Sequence, residues 1–281
     1  MNNKIKESVF VFLLFLFVVV LGYECGVFFA KRNGRAIDDK VVAFRVGVRK
    51  DYVDYDLLAM LDFIKYKYEK DGYTVKEYAY EGNLYPKRLD NAGVNLFVRG
   101  DFVSYDKRIN EKAYNVYLIQ RFVGGYIEEF RNFDEYISTQ NNLIEAAKMN
   151  GVEVKYLEGG SAKRENLDFK DAKNILYIYE IRNFSVIDKV KNIKNAKVFS
   201  TVDFALLSEN ERKEELKNAK IVVFDRDLNR FSEKDYVPYA IYDLISYGKK
   251  VISNAPKEGA LPDSVVRFRT TDEMIYLMEK Y

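Results

Sequence analysis

Short apolar runs of strand length alternate with helical patterns along most of this chain, and this alternation limits the possible folds more than any other feature. The runs with strand character lie at residues 41–48, 73–80, 94–99, 115–120, 135–138, 152–156, 174–179, 196–200, 220–224, 251–253 and 265–267. A strand–helix–strand order requires right-handed crossovers, and it favours mainly parallel sheets covered by helices. We therefore predict an α/β fold.

Polar stretches divide the chain into three predicted parts. An apolar segment with a short Gly-containing linker occupies residues 1–38, and a first strand–helix series occupies 39–160. The charged stretch at 161–173 is the predicted linker into a second series, which completes a domain at 161–281. A length of 281 residues is sufficient for two modest domains. The predicted architecture is a membrane anchor followed by two Rossmann-like lobes with mainly parallel sheets.

The N-terminal segment has the length and composition of a membrane-spanning helix. The run from Ser8 to Ala30 contains 23 residues and a single charge, Glu24. At about 1.5 Å per residue, this run is long enough to cross a hydrocarbon core of roughly 30 Å. A cleaved signal peptide is the alternative, although no small-x-small site follows the run. We predict an uncleaved single-pass anchor at residues 8–30.

The charges that flank this run predict the side of the membrane on which the body lies. Lys4 and Lys6 precede the run. The positive residues that follow it are Lys31, Arg32, Arg35 and Lys40. Because positive flanking residues favour the cytoplasmic side, this difference favours a cytoplasmic body.

Composition removes several classes of chemistry and partner. The chain has no histidine, which excludes Ser-His-Asp triads and histidine metal ligands. Cys25 is the single cysteine, so neither a disulfide framework nor a thiolate metal site can form within one chain. The formal net charge of +2 argues against a dedicated nucleic-acid binder, and we predict no nucleic-acid partner. The loop after the first strand has no GxGxxG pattern, which disfavours a dinucleotide oxidoreductase.

The stretch from Asp235 to Asn254 indicates a helix that leads directly into a strand. Apolar residues recur within it at helical spacing, and Gly248 is placed to end the helix. Asp235 and Asp243 are eight positions apart, and at about 100° per residue both lie on the same side of a helix. Lys249 follows the predicted helix, where its charge would complement the negative C-terminal end.

This order of an acidic pair, a glycine and a Val-Ile strand resembles the C-terminal lobe of glycosyltransferases with the two-Rossmann (GT-B) fold. The resemblance covers the chain best from Lys220 to the C-terminus. It implies a nucleotide-sugar donor as substrate, a retaining outcome, and neither a metal nor another cofactor. The chain differs from the family in three respects. Both acidic positions hold Asp where Glu is usual, Ser246 and Tyr247 replace the small residues that commonly precede the glycine, and the family's basic pair has no clean match.

The resemblance also implies roles for particular residues. Asp243 would accept hydrogen bonds from the ribose hydroxyls of the donor, and Asp235 would lie at the donor sugar. The helix start at Tyr239 would meet sugar or phosphate oxygens. The donor diphosphate needs a cation, and the candidates after strands of the second domain are Arg182, Arg226 and Arg230. In the first domain, Asp101 is the candidate catalytic base, although an Asp at a strand end is also an ordinary turn residue.

These features support one leading hypothesis and two alternatives. The leading hypothesis is a membrane-anchored glycosyltransferase that moves a sugar from a nucleotide-sugar donor to an envelope glycan or lipid-linked acceptor. The first alternative is a catalytically degenerate GT-B-like protein that binds a glycan or acts as a scaffold, and the weakened motif and the missing basic pair favour it. The second alternative is an exported two-lobe solute-binding protein that is tethered by the N-terminal run.

Overall fold

A computed structural model describes residues 37–46, 53–79, 92–98, 112–119, 133–162, 164, 166–167, 171–180, 183–226, 237–255 and 261–281. Residues 39–281 form one compact unit. The predicted membrane segment at residues 8–30 lies outside the described residues. Among the residues that are described, no helix is both long enough and apolar enough to cross a membrane.

The first sheet has six strands in the order β2-β1-β3-β4-β5-β6. These strands are β1 (Asp38–Val46), β2 (Thr74–Ala79), β3 (Ala92–Val98), β4 (Tyr114–Ile119), β5 (Glu135–Ser138) and β6 (Lys155–Tyr156). The pairs β1–β2, β3–β4, β4–β5 and β5–β6 are parallel. Helix α1 (Tyr55–Lys70) follows β1, and helix α2 (Asn141–Met149) connects β5 to β6.

The second sheet has five strands in the order β11-β10-β9-β7-β8. These strands are β7 (Asn174–Tyr179), β8 (Ala196–Ser200), β9 (Ala219–Asp225), β10 (Val251–Ser253) and β11 (Val265–Arg267). Each neighbouring pair in this sheet is parallel. The helices of this half are α3 (Phe184–Lys191), α4 (Thr201–Leu206), α5 (Glu209–Asn218), α6 (Tyr239–Ser246) and α7 (Thr271–Lys280).

The two sheets share one strand order. Within each sheet, the second strand lies outside the first, and the later strands follow on the other side of the first. This is one of the two common orders of doubly wound folds, and its direction of winding reverses between β1 and β3 and again between β7 and β9. Two mainly parallel sheets with helices confirm the α/β prediction and are consistent with two Rossmann-like lobes, which we call the first and the second lobe.

The described elements follow the sequence pattern closely, apart from one helix that was not predicted and the start of α6. Every strand overlaps a predicted apolar run, and the capping box that Ser208 and Glu211 predict is present at the start of α5. Helix α4 was not predicted, because it has only six residues and follows β8 without an intervening turn signal. Its start is fixed by Ser200, whose hydroxyl accepts a hydrogen bond from the backbone N–H of Asp203 at 3.0 Å.

Gly248 ends helix α6 as the sequence predicts. Its φ is +79°, which favours glycine, and its N–H donates to the carbonyl of Ile245 at 2.8 Å. The next N–H, that of Lys249, donates to the carbonyl of Leu244 at 3.2 Å. The two bonds together form a Schellman motif, which satisfies the last carbonyls of the helix and turns the chain into β10.

Each lobe has its own apolar core between its sheet and the helices that cover it. In the first lobe this core contains Val42, Phe44, Leu96 and Leu118 from the strands and Leu57, Met60 and Ile64 from α1. In the second lobe it contains Leu176, Ile178, Val222 and Phe224 from the strands and Ile241 and Leu244 from α6. Strand β1 is buried from Val41 to Val46 without alternation, as expected for a parallel strand that is covered on both faces.

Each core also receives a tyrosine from the other lobe. Tyr55, the first residue of α1, packs in the core of the second lobe, and its ring lies 4.8 Å from that of Phe204. Tyr239, the first residue of α6, packs in the core of the first lobe and contacts Phe63 at a ring distance of 5.6 Å. Both tyrosines are almost completely buried. The two lobes therefore meet at an interface formed mainly by α1 and α6.

Lys249 has a partner that the sequence did not indicate. Its side chain is only 3% exposed, and its Nζ donates to the carbonyl of Ala219, the first residue of β9, at 2.6 Å. Burial lowers the pKa of Lys249 to about 7. Tertiary packing has therefore brought this amine into the interior beside the sheet.

The buried amine of Lys249 predicts that stability increases with pH above neutrality. Because its pKa is lower in the folded chain than in the unfolded chain, the unfolded chain binds more protons between about pH 7 and pH 10, so stability rises with pH there. We expect the free energy of unfolding to rise by about 2 kcal/mol from pH 7 to pH 9 through this group. Urea unfolding of the full chain at both pH values measures this rise.

Two variants isolate the contribution of Lys249. Lys249→Met should lose the rise, whereas Lys250→Met should keep it, because Lys250 is exposed and lies over the ring of Tyr281. An identical pH dependence in Lys249→Met and the unmodified chain would rule out Lys249 as its source.

Candidate functional site

The carboxyl ends of β7, β9 and β10 bring a group of polar side chains together in the second lobe. Glu180 follows β7, Asp225 and Arg226 end and follow β9, and Asn254 follows β10. Tyr177 lies within β7 and reaches the same group. We call these five residues the edge cluster. The cluster lies where the winding of the sheet reverses, which is where open α/β sheets bind ligands.

Asn254 holds the edge cluster in place. Its side-chain Nδ2 donates to Asp225 Oδ1 and to the carbonyl of Arg226, both at 2.8 Å. Its Oδ1 accepts from the backbone N–H of Arg226, also at 2.8 Å. One amide side chain therefore fixes both the carboxylate and the backbone at the end of β9.

The charged groups of the edge cluster are two carboxylates and one guanidinium. Arg226 Nε lies 3.4 Å from Glu180 Oε2, and these side chains are only 11% and 15% exposed. The Tyr177 hydroxyl donates to Asp225 Oδ2 at 2.6 Å. Burial, and then the charge of Asp225, raise the pKa of Tyr177 far above its usual value, so this hydroxyl remains a donor at neutral pH. Such a cluster offers acceptors to ligand hydroxyls and a planar cation to ligand anions.

A second polar group lies inside the α1–α6 interface, and it contains Asp243. The Tyr55 hydroxyl donates to Asp243 Oδ2 at 2.8 Å, and Arg164 Nε donates to Asp243 Oδ1 at 2.9 Å. A further guanidinium nitrogen of Arg164, Nη2, lies 2.5 Å from Asp62 Oδ2 on α1. We call Tyr55, Asp62, Arg164 and Asp243 the interface cluster. Each oxygen of the Asp243 carboxylate thus has a donor from another segment of the chain.

Burial and neighbouring charges together shift the pKa values of Asp62, Arg164 and Tyr55 in the interface cluster. Burial raises the pKa of Asp62, and the opposing attraction of Arg164 offsets this only in part. Burial by itself lowers the pKa of Arg164, but the charges of Asp243 and Asp62 outweigh it and raise that pKa above its usual value. Burial and the neighbouring Asp243 charge also raise the pKa of Tyr55. Tyr55 and Arg164 therefore remain hydrogen-bond donors to Asp243 at neutral pH.

The start of α6 is also occupied by groups of the first lobe. Asp56 Oδ1 accepts from the backbone N–H of Ala240 at 3.0 Å, so a carboxylate from α1 caps α6. The Tyr239 hydroxyl lies 3.3 Å and 3.2 Å from the carbonyl oxygens of Leu157 and Glu158, to which it donates. Burial, followed by the charge of Asp56, raises the pKa of Tyr239.

The residues that the sequence singles out fall into three groups. Tyr239 and Asp243 lie together on α6 and face the first lobe, and Arg226 lies in the edge cluster. Asp101, Asp235, Arg182 and Arg230 lie outside the described residues. Helix α6 begins at Tyr239, with Pro238 at its N-cap, so the prediction of one helix that carries both Asp235 and Asp243 is wrong. Pro238 explains the late start, because the residue before a proline disfavours the helical conformation.

Several residues of both clusters were not found by sequence reasoning. Glu180 and Asn254 directly follow predicted strands, and that position is a signal that could have revealed them. Tyr55 and Asp62 stand in an ordinary amphipathic helix, and Arg164 stands in a charged linker, so none of them has a local signal.

No group of three or more acidic or thiol side chains that could hold a metal ion occurs in the described part of the chain. A scan against the known protein families finds none that matches, and a search of curated proteins finds no match. The function must therefore be inferred from the site itself.

Proposed function

We propose that this chain is a membrane-anchored glycosyltransferase that moves a sugar from a nucleotide-sugar donor to an envelope glycan or lipid-linked acceptor. The observation that supports this proposal is the edge cluster, a polar group at the reversal point of the second sheet. Crevices at such points bind nucleotides and related ligands in many α/β proteins. The resemblance of 235–254 to a donor-binding lobe supports the same half of the chain.

The edge cluster suggests a division of roles. The Arg226 guanidinium would donate to the diphosphate of the donor and stabilise the charge that develops as the nucleoside diphosphate departs. Glu180 and Asp225 would accept hydrogen bonds from sugar or ribose hydroxyls, and Asn254 keeps the end of β9 in place. This chemistry relies on positioning and electrostatics, and it needs no imidazole and no resident cofactor. Asp101 and Asp235 remain the proposed catalytic carboxylates.

The alternative is a catalytically degenerate protein that binds a glycan or acts as a scaffold, and one observation favours it. Asp243, the carboxylate to which the resemblance assigns the donor ribose, is 4% exposed and bonded to Tyr55 and Arg164. Its hydrogen-bonding capacity is thus used largely within the protein. A lobe that has kept the fold but no longer binds a nucleotide-sugar donor would have its acidic residue buried and bonded within the protein in this way.

Binding of nucleotide sugars distinguishes the two proposals. We expect isothermal titration of the full chain in detergent to detect binding of at least one UDP-, GDP- or ADP-linked sugar. Arg226→Met should weaken this binding about tenfold or more, because a hydrogen bond to a charged group contributes about 1.5–3 kcal/mol. Arg269→Met is the matched control, since Arg269 is exposed beyond β11.

The outcomes separate the proposals as follows. Binding that Arg226→Met weakens and Arg269→Met leaves unchanged supports the enzyme. Absence of binding by every donor supports the scaffold. Donor binding that is indifferent to Arg226→Met places the donor elsewhere and contradicts the role of the edge cluster.

A further inference from the structure

The segment that leaves β6 crosses the α1–α6 interface before the chain enters the second lobe. The carbonyls of Leu157 and Glu158 accept the hydroxyl of Tyr239. A few residues later, Arg164 lies between the two helices, bonded to Asp62 of α1 and to Asp243 of α6. We call residues 157–162 together with Arg164 the strap. The strap thus contacts both helices through hydrogen bonds and ion pairs.

Two glycines allow the strap to pass close to aromatic rings of both helices. A Cβ atom on Gly159 would lie 2.7 Å from the ring of Tyr242 on α6. A Cβ atom on Gly160 would lie 2.7 Å from the ring of Phe63 on α1. Such distances are shorter than a carbon–carbon contact allows, so any larger residue would displace a ring or the strap. Consecutive glycines therefore fit the strap against one helix of each lobe.

The contacts of the α1–α6 interface would be lost if the two lobes separated. Tyr55 and Tyr239 are each packed in the core of the opposite lobe. Opening would expose both rings to water and would separate Asp243 from Tyr55. It would also remove Asp56 from the start of α6. An interface of this kind has one well-packed arrangement, because partial opening leaves buried charges without partners.

We infer that the strap and the α1–α6 interface hold the two lobes in one fixed relative orientation, so that a ligand meets a preformed edge cluster without closure of one lobe on the other. Arg164 is the residue of the strap that positions the two lobes, since it bonds to one carboxylate on each helix. The inference concerns the body alone and does not depend on the identity of the ligand.

Distance measurements between the lobes test this inference. Lys148 on α2 and Lys217 on α5 are exposed, one on each lobe, and each can be replaced by cysteine for spin labelling in a Cys25→Ala background. Electron–electron double resonance on the full chain in detergent should give one narrow distance distribution. Addition of UDP-glucose at millimolar concentration should leave this distribution unchanged. Arg164→Met should broaden it, whereas the exposed control Arg269→Met should not.

Two results would overturn the inference. A broad or two-peaked distribution in the unmodified chain, or a shift of the peak on adding UDP-glucose, would mean that the lobes move. A distance distribution that remains narrow in Arg164→Met would show that the strap does not hold the two lobes in their relative orientation. If circular dichroism shows that Arg164→Met does not fold, Tyr239→Phe replaces it, since this variant removes only the hydroxyl that bonds to the strap. Failure of donor binding would not change the distances measured without ligand, and these distances alone test whether the lobes have one fixed orientation.

Discussion

Replacing Asp243 by alanine is expected to lower the free energy of unfolding by about 3 kcal/mol. The substitution removes the only carboxylate of α6 within the interface cluster and leaves the Tyr55 hydroxyl and one edge of the Arg164 guanidinium without this acceptor. These groups are buried or nearly so, and unpaired buried donors are costly. Asp62 still pairs with Arg164, which keeps the expected loss at the lower end of the range for a broken buried ion pair.

Urea unfolding of the full chain in detergent measures this loss. Asp188→Ala is the matched control, because Asp188 is an exposed helical aspartate, and its replacement should change stability by no more than about 0.5 kcal/mol. Asp243→Asn should fall between the two, since the amide keeps an acceptor oxygen but loses the charge. If Asp243→Ala matched Asp188→Ala, Asp243 would have no structural role at the interface, and its carboxylate would be free for a ligand.

Replacing Tyr55 by alanine is expected to cost about 4 kcal/mol, the largest single loss that the structure predicts. Tyr55 belongs to the first lobe by sequence, yet its ring is 2% exposed and packs among Leu176, Ile178 and Phe204 of the second lobe. The substitution would leave a cavity in a core to which α1 otherwise contributes the partly buried Leu58. It would also remove the donor of Asp243 Oδ2.

A second variant and a control separate the contribution of the Tyr55 ring to stability from that of its hydroxyl. Tyr55→Phe keeps the ring and should cost only about 1–2 kcal/mol, because it removes one hydrogen bond to a charged group. Tyr276→Ala removes a tyrosine that is 61% exposed on α7, and it should be nearly neutral. A loss below about 1 kcal/mol for Tyr55→Ala would show that the second core does not depend on this ring.

The strands could be predicted from the sequence because their signal is local. A parallel strand that is buried on both faces appears as a short run of mainly apolar residues. Val41–Val46, in which Arg45 is the one charged residue, and Ile221–Phe224 are such runs. The end of α6 was predictable for a similar reason, since Gly248 adopts a backbone conformation that favours glycine. The order of the strands was not predictable, because apolar runs do not encode which strand lies beside which.

The interface cluster could not be predicted because its members are far apart in the chain. Tyr55 and Asp243 are separated by 188 positions, and Arg164 and Asp62 by 102. The spacing of Asp235 and Asp243 predicted a shared helix face, but α6 begins only at Tyr239, and no spacing along the chain indicates what packs around Asp243. The side chains that contact Asp243 come from the first lobe and from the linker, so the sequence near residue 243 contains no signal of them.

The edge cluster was partly predictable. The resemblance implied a cation for the donor diphosphate, and one of its three candidates, Arg226, lies in the cluster. Tyr177 stands within an apolar strand, and the strand pattern does not indicate that its hydroxyl donates to Asp225. The contribution of Asn254 depends on the pairing of β9 with β10, which brings its amide to the backbone of Arg226.

Hydrogen–deuterium exchange with and without a nucleotide sugar tests most directly whether the second sheet binds the donor while the α1–α6 interface remains structural. We expect amides at residues 177–180, 225–226 and 253–255 to exchange more slowly when a saturating donor is present. Amides within α1 and α6 should already exchange slowly without donor and should not change, because both helices are packed between the lobes. Rapid exchange within α6 without donor, or protection confined to α6 with donor, would contradict this division between a ligand site at the sheet edge and a structural interface.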